Sequence, residues 1–123
     1  MALKSVGKVG DFVEFKPVFV ELPGRKTKIA VYRFRDQYFA YLDQCPHQGG
    51  PVCEGIVIGN EEAEIIDDGT IVRRYISQDR YNIACPWHGV EFNLQTGVCR
   101  SDSRERLMAY PVFVEDEEVL IRI

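Results

Sequence analysis

Two short segments of the chain each place a cysteine and a histidine within a few residues of one another. The first is Cys45-Pro46-His47 and the second is Cys85-Pro86-Trp87-His88. The chain holds only four cysteines and two histidines, and each histidine follows a cysteine by two or three residues. Thiolate and imidazole are metal ligands, and in a cytosolic chain this spacing predicts a metal site in preference to a disulfide framework. The fold must therefore bring the two segments together.

The rest of the chain predicts a single all-β domain, since 123 residues are the usual size of one domain. Apolar and β-branched runs alternate with turn signals, and no helical periodicity extends over three turns. At most one helical turn is expected, at Ser103 to Met108. The predicted strands are Phe12 to Phe15, Val18 to Glu21, Ile29 to Phe34, Tyr38 to Leu42, Tyr110 to Val114 and Val119 to Ile123. Ala30, Tyr32 and Phe34 should share one face of their strand because side chains alternate.

An acidic stretch lies between the two cysteine segments. The pair Asp68-Gly69 separates two β-branched runs, which is a strong hairpin signal. The acidic residues are Glu61, Glu62, Glu64, Asp67 and Asp68. A solvated turn is the favoured interpretation, and a docking surface for a basic partner is the alternative.

Composition excludes several classes of function. Fifteen Lys and Arg against nineteen Asp and Glu give a net charge of −4, which argues against nucleic acid as a partner. No apolar run approaches the roughly 18 residues that would predict a membrane span. The segment Met1 to Asp11 has no apolar signal region, so we expect a cytoplasmic protein with reduced thiols.

The four ligand candidates fit two kinds of metal site. One is a single tetrahedral zinc ion with two Cys and two His. The other is a two-iron cluster in which one iron takes both cysteines and the other takes both histidines. His47 and His88 lie on separate loops, whereas a zinc finger usually places its histidines three to five residues apart on a helix. Glycines beside both segments allow the close backbone approach that a cluster needs, which favours iron and sulfide.

The neighbouring residues resemble the Rieske [2Fe–2S] family. The matching segments are Cys45 to Pro51, Cys53-Glu54-Gly55, Cys85 to Asn93 and Thr96-Gly97. The resemblance covers essentially the whole chain. It implies one domain over residues 1–123, with a Rieske-like antiparallel β-sandwich and a two-loop cluster-binding subdomain. The ligand loops would be residues 45–51 and 85–89, and an inserted acidic hairpin would occupy about residues 57–81.

The resemblance also implies the ligand set and the chemistry. Cys45 and Cys85 would bind one iron through sulfur, and His47 and His88 would bind the other, with one [2Fe–2S] cluster per chain. With four protein ligands the site suits one-electron transfer, so we expect a non-catalytic component of an oxidoreductase system. Trp87 would form part of an apolar wall beside the electron exit.

The leading hypothesis is a ferredoxin that carries electrons from a flavin-dependent reductase to a terminal oxygenase. The alternative is a small subunit that works with the large subunit of an assimilatory nitrite reductase. A structural zinc module is a third hypothesis. High-potential relatives have a disulfide between the two loops and hydroxyl donors near sulfur, but here those positions are Gly50, Trp87, Val90 and Phe92. We therefore expect a low reduction potential.

Two further groups of residues lie outside the family pattern. Arg100, Arg104 and Arg106 occupy a third loop in which many family members have a proline. A surface loop balanced by Asp102 and Glu105 is the favoured interpretation, and a positive rim beside the cluster is the alternative. Cys53 and Cys99 are not in ligand register, so we expect two buried small apolar residues, with a disulfide between them improbable in a reducing compartment.

Overall fold

Ten β-strands build the chain in the computed structural model, which describes residues 3–46, 49–87 and 89–123. The strands are β1 (Leu3–Lys8), β2 (Val18–Val20), β3 (Ile29–Phe34), β4 (Gln37–Leu42), β5 (Val57–Ile65), β6 (Ile71–Ala84), β7 (Glu91–Asn93), β8 (Ala109–Tyr110), β9 (Val112–Glu115) and β10 (Glu118–Arg122). Single turns of 3₁₀ helix occupy Val9–Asp11 and Val52–Glu54. The described residues contain no α-helix, and none of their helices could cross a membrane. All strand pairs are antiparallel, which confirms the all-β prediction.

Three sheets surround two apolar cores. Their strand orders are β1-β10-β9, β2-β3-β4-β8 and β5-β6-β7. Strand β3 is buried on both faces. Ile29 and Val31 belong to the first core, while the alternate residues Ala30, Tyr32 and Phe34 belong to the second core. Ala30, Tyr32 and Phe34 do share a face, as their alternation predicted. The first core includes side chains of β10. The second core includes side chains of β6 and β7 and the cysteines of the two cysteine segments.

The prediction of a strand at Phe12 to Phe15 is wrong. The chain turns there, with Lys16 N–H donating to the Val13 carbonyl (3.1 Å) and Phe15 at a φ of 67°. This turn sends Phe12 into the first core and stacks Phe15 against the second. Two cores therefore divide an apolar run that would otherwise form a strand.

Two buried tyrosines of the second sheet connect it to the region of the cysteine segments. Tyr32 donates its hydroxyl proton to the carbonyl of Cys53 (3.2 Å), and Tyr41 donates to the carbonyl of Leu94 (2.7 Å). Burial raises the pKa of both hydroxyls above their usual range, so both stay protonated donors. These bonds tie β3 to the segment that follows the first cysteine segment and β4 to the segment that follows β7.

Removal of the Tyr41 hydroxyl should lower stability. In Tyr41→Phe the buried carbonyl of Leu94 loses its donor, so we expect the free energy of unfolding to fall by about 1–3 kcal/mol. Urea denaturation of the cofactor-loaded protein measures this. Tyr38→Phe removes a partly exposed hydroxyl from the same strand and is the matched control. Equal losses in the two variants would contradict the proposed role of the Tyr41 bond.

Candidate metal centre

The two ligand loops, residues 45–51 and 85–89, share one backbone hydrogen-bond pattern. In each loop the cysteine N–H donates to the carbonyl of the residue five positions later. The N–H of the residue four positions later donates back to the cysteine carbonyl. The bonds are Cys45 to Gly50 (2.8 Å), Gly49 to Cys45 (2.7 Å), Cys85 to Val90 (2.8 Å) and Gly89 to Cys85 (2.9 Å). Two segments 40 residues apart in the sequence therefore form matching tight loops.

Glycine is required at the fourth position after each cysteine. Gly49 has a φ of 75° and Gly89 has a φ of 69°, which is the left-handed region that side chains with a Cβ disfavour. Pro46 and Pro86 follow the cysteines directly and restrict the backbone at the start of each turn. The repeated Cys-Pro and glycine positions in the sequence thus encode the same loop twice.

The structure brings the first residues of the two loops into one buried cluster. Cys45 and Cys85 are each only 3% exposed and belong to the second core. Their partners in the predicted ligand set, His47 and His88, lie outside the described residues. Within residues 3–46, 49–87 and 89–123 no group of three metal-ligand side chains occurs, so the assignment of all four ligands remains a prediction.

Two glycines mark close contacts, one between the ligand loops and one between the segments next to them. A Cβ on Gly50 would lie 2.7 Å from the ring of Trp87, and a Cβ on Gly55 would lie 1.7 Å from the carbonyl oxygen of Ala84. The first contact joins the two loops directly. The second places the segment just after the first loop against β6, the strand that leads into the second loop. Gly55 belongs to the family pattern in the sequence, but this backbone contact was not predicted.

Asp43 supports the segment just after the first loop, a role that the sequence did not predict. Its carboxylate accepts the N–H of Cys53 (2.8 Å), and its own N–H donates to the Lys28 carbonyl (2.8 Å). The side chain is buried, and this burial raises the pKa of Asp43. An acidic residue two positions before a ligand cysteine, at the end of an apolar strand, is the signal that could have identified it.

Cys53 and Cys99 are buried and distinct from the two loops. They are 0% and 4% exposed, which confirms the prediction of buried small residues. No disulfide joins any of the four cysteines, all of which the structure describes. Burial raises the pKa of the Cys53 thiol to about 12. A thiol of this kind stays protonated and is a poor metal ligand.

Thiol labelling should leave Cys53 unmodified in the folded protein. At pH 8 only about one Cys53 in 10,000 would be a thiolate, given its raised pKa, and the side chain has no exposed surface. Iodoacetamide treatment followed by peptide mass spectrometry measures this. The same treatment in guanidinium should modify all four cysteines. Rapid labelling of Cys53 without unfolding would contradict its burial.

The third loop is partly the balanced surface loop that was expected. Arg104 pairs with Asp102 at 3.0 Å, in agreement with that interpretation. Arg100 instead pairs with Glu91 (3.3 Å) and donates to the carbonyl of Glu61 (3.2 Å). Arg100 thus links the third loop to β7 and to the β5–β6 hairpin.

Fold and site together define a small β-sandwich protein with two cysteine-containing loops held side by side. A family model described as the Rieske [2Fe–2S] domain matches residues 3–111. The chain therefore belongs to the Rieske [2Fe–2S] domain family, whose cofactor is a Rieske-type [2Fe–2S] cluster and whose function is one-electron transfer.

Three similar proteins illustrate the range of systems in which such domains occur. The ferredoxin component of the p-cumate 2,3-dioxygenase system of Pseudomonas putida is 26% identical over 114 residues, which are 92% of this chain and 79% of that protein. A chain in a complex of reduced oxygenase and oxidised ferredoxin in carbazole 1,9a-dioxygenase is 27% identical, with a TM-score of 0.70 and coverage of 97% and 100% of the two chains. The NAD(P)H nitrite reductase of Emericella nidulans is 27% identical over 89 residues, which are 70% of this chain and 7% of that enzyme.

Proposed function

We propose that Cys45 and Cys85 bind one iron of the cluster through sulfur and that His47 and His88 bind the other. The matched hydrogen-bond pattern of the two loops supports this assignment, because it presents the two buried cysteines in equivalent ways. The packing of Gly50 on Trp87 supports it further, since it holds the two loops at a short separation. A Rieske cluster, when bound, stores one electron with a potential set by its ligands and hydrogen bonds.

The chain's own residues would keep water from the sulfur side of the site. Val52, Phe92 and the two cysteines are almost fully buried there.

Two apolar side chains beside the loops are exposed: Trp87 is 57% exposed and Ile56 is 67% exposed. Apolar side chains on the surface next to a redox site suit a brief encounter with a partner protein. This arrangement supports the proposed role of Trp87 in an apolar wall at the electron exit.

The redox system that we propose is a ferredoxin that carries electrons from a flavin-dependent reductase to a terminal oxygenase in the cytoplasm. The supporting observation is the near full-length match to a dioxygenase ferredoxin component. The test is to mix the chemically reduced protein anaerobically with an oxidised ferredoxin-dependent terminal oxygenase. We expect stoichiometric reoxidation of the protein on mixing, and a reduced protein that persists beside every such oxygenase would contradict the proposal.

A small subunit of an assimilatory nitrite reductase is the second candidate. The match to a segment of the Emericella nidulans enzyme favours it, although that segment is a small part of the enzyme. Purification of the tagged chain from its native host separates the two candidates. A stable complex with a large sirohaem protein would support the nitrite reductase subunit, and its absence beside transfer to an oxygenase would support the ferredoxin.

The reduction potential should lie at the low end of the Rieske range. Val90 and Phe92 offer no hydroxyl proton to the sulfurs, and no disulfide links the two loops. Fewer hydrogen bonds to sulfur disfavour the reduced state, which carries the more negative charge. A redox titration should therefore give a midpoint of roughly −150 mV. A clearly positive midpoint would contradict this account of the site.

A further inference from the structure

The β5–β6 hairpin ends in an exposed aliphatic tip. We call the nine residues around its turn, residues 64–72, the arm tip. They do not pair with the third strand of the sheet, since β7 pairs only with Asn82–Ala84. The four aliphatic side chains of the arm tip are about half exposed or more. They are Ile65 (60%), Ile66 (48%), Ile71 (44%) and Val72 (50%). Four exposed aliphatic side chains within nine residues are an unusual concentration for a surface hairpin and indicate an interaction surface.

The hairpin is held in a definite direction at its base. Between the pairs Gly59–Tyr81 and Glu61–Ile76, the four residues 77–80 bulge from β6. A Cβ on Gly59 would lie 2.3 Å from the Ile76 side chain, so the two strands approach closely there. Arg35 of the sandwich binds the bulge through Asp79 (2.7 Å). The arm tip is therefore presented by an anchored structure.

The charges of the hairpin leave the arm tip acidic. Along its strands each glutamate has an arginine partner; the pairs are Glu61–Arg74, Glu62–Arg80 and Glu64–Arg73. Asp67 and Asp68 at the turn form no ion pair with the residues that the structure describes. Asp68 accepts the N–H of Thr70 (2.8 Å), which shapes the turn and leaves its charge uncompensated. A complementary surface would be apolar with a basic rim.

The sandwich of the same chain carries a surface of that description. A groove of about 550 Å³ is lined by Leu22, Pro23, Arg25, Met108, Ala109, Tyr110 and Ile123. Arg25 and Lys26 are exposed beside it and form no ion pair within the described part of the chain. Segment 21–28 holds three basic residues and one acidic residue, for a net charge of +2.

We propose that a second copy of this chain covers the arm tip, with the aliphatic side chains in the groove and Asp67 and Asp68 facing Arg25 and Lys26. The contact is made twice around a two-fold axis. A specific interface buries roughly 800 Å² per partner with about 25 residues, so nine residues bury roughly 300 Å². One arm tip and its groove then contribute roughly 600 Å² in total, and two such contacts reach the roughly 1,200 Å² of a stable interface.

Sedimentation of the cluster-loaded protein from 1 to 300 μM tests the proposal. We expect a concentration-dependent mass that rises to twice the 14.1 kDa of one chain. Ile66→Asp places a charge in the groove and should raise the dissociation constant at least about tenfold. Val13→Asp changes another exposed aliphatic side chain, outside both surfaces, and should leave the dissociation constant unchanged.

A charge exchange gives a second, independent measurement. Asp67→Lys and Arg25→Glu should each weaken association, and the double variant should recover part of the loss because the opposite charges face each other again. The proposal is overturned if the protein stays monomeric throughout this concentration range. It is also overturned if a dimer forms that neither Ile66→Asp nor the charge variants weaken, or if the arm-tip variants alter only association with a redox partner.

Discussion

Loss of either loop cysteine should abolish cluster binding. Under the proposed ligand assignment, Cys45→Ala or Cys85→Ala deprives one iron of a sulfur ligand that alanine cannot replace, so we expect less than about a tenth of the iron and acid-labile sulfide of the unchanged protein. Both side chains are buried in the second apolar core. Elemental analysis and visible absorption of anaerobically purified protein measure the loss.

The other two cysteines provide the matched controls for this experiment. Cys53→Ala and Cys99→Ala remove thiols that are equally buried but lie outside the two loops. Each control should retain full iron and sulfide, with a stability loss of about 1 kcal/mol from the small cavity. Retention of the cluster in Cys45→Ala, or its loss in Cys53→Ala with the fold intact, would contradict the ligand assignment.

Gly55→Ala should have the largest effect of the glycine-to-alanine changes in this chain. Its Cβ would lie 1.7 Å from the carbonyl oxygen of Ala84, and a backbone atom cannot rotate away as a side chain can. The segment just after the first loop must then separate from β6. We expect the free energy of unfolding to fall by about 3 kcal/mol or more, together with incomplete cluster incorporation. Denaturant titration and the iron content measure the two effects.

Two other glycines calibrate that result. Gly10→Ala meets no atom within 4 Å and should be nearly neutral. The nearest atoms that Gly50→Ala meets belong to the Trp87 ring, at 2.7 Å, so its cost should be intermediate and should shrink when Trp87→Ala removes the ring. A Gly55→Ala protein as stable as Gly10→Ala would show that the loops do not depend on this close contact.

The sequence predicted the strands and the loops to different extents. Strands β3 and β4 and the final hairpin followed from alternation and turn signals, because each is a local pattern. The segment from Phe12 to Phe15 was wrongly predicted as a strand, because its side chains are divided between two cores that no local pattern reveals. Strand β1 has little apolar alternation and depends on its pairing with β10.

The site was predictable in its chemistry and less so in its supports. The Cys-Pro repeats and the glycines after them indicated two similar loops, and the structure gives both loops the same hydrogen bonds. Asp43, Tyr32 and Tyr41 hold the segments next to those loops through contacts between residues 10 to 53 positions apart in the chain. Contacts at such separations depend on the sheet topology, which the residue types alone do not specify.

Nitrogen coupling in the reduced protein tests the central claim most directly. The chain has only two histidines, so growth with ¹⁵N-histidine labels only His47 and His88. Pulsed EPR of the reduced protein should show two histidine nitrogens coupled to the cluster spin, and elemental analysis should give two irons and two sulfides per chain. A reduced cluster without histidine nitrogen coupling, or a protein that binds zinc and no iron, would contradict the account.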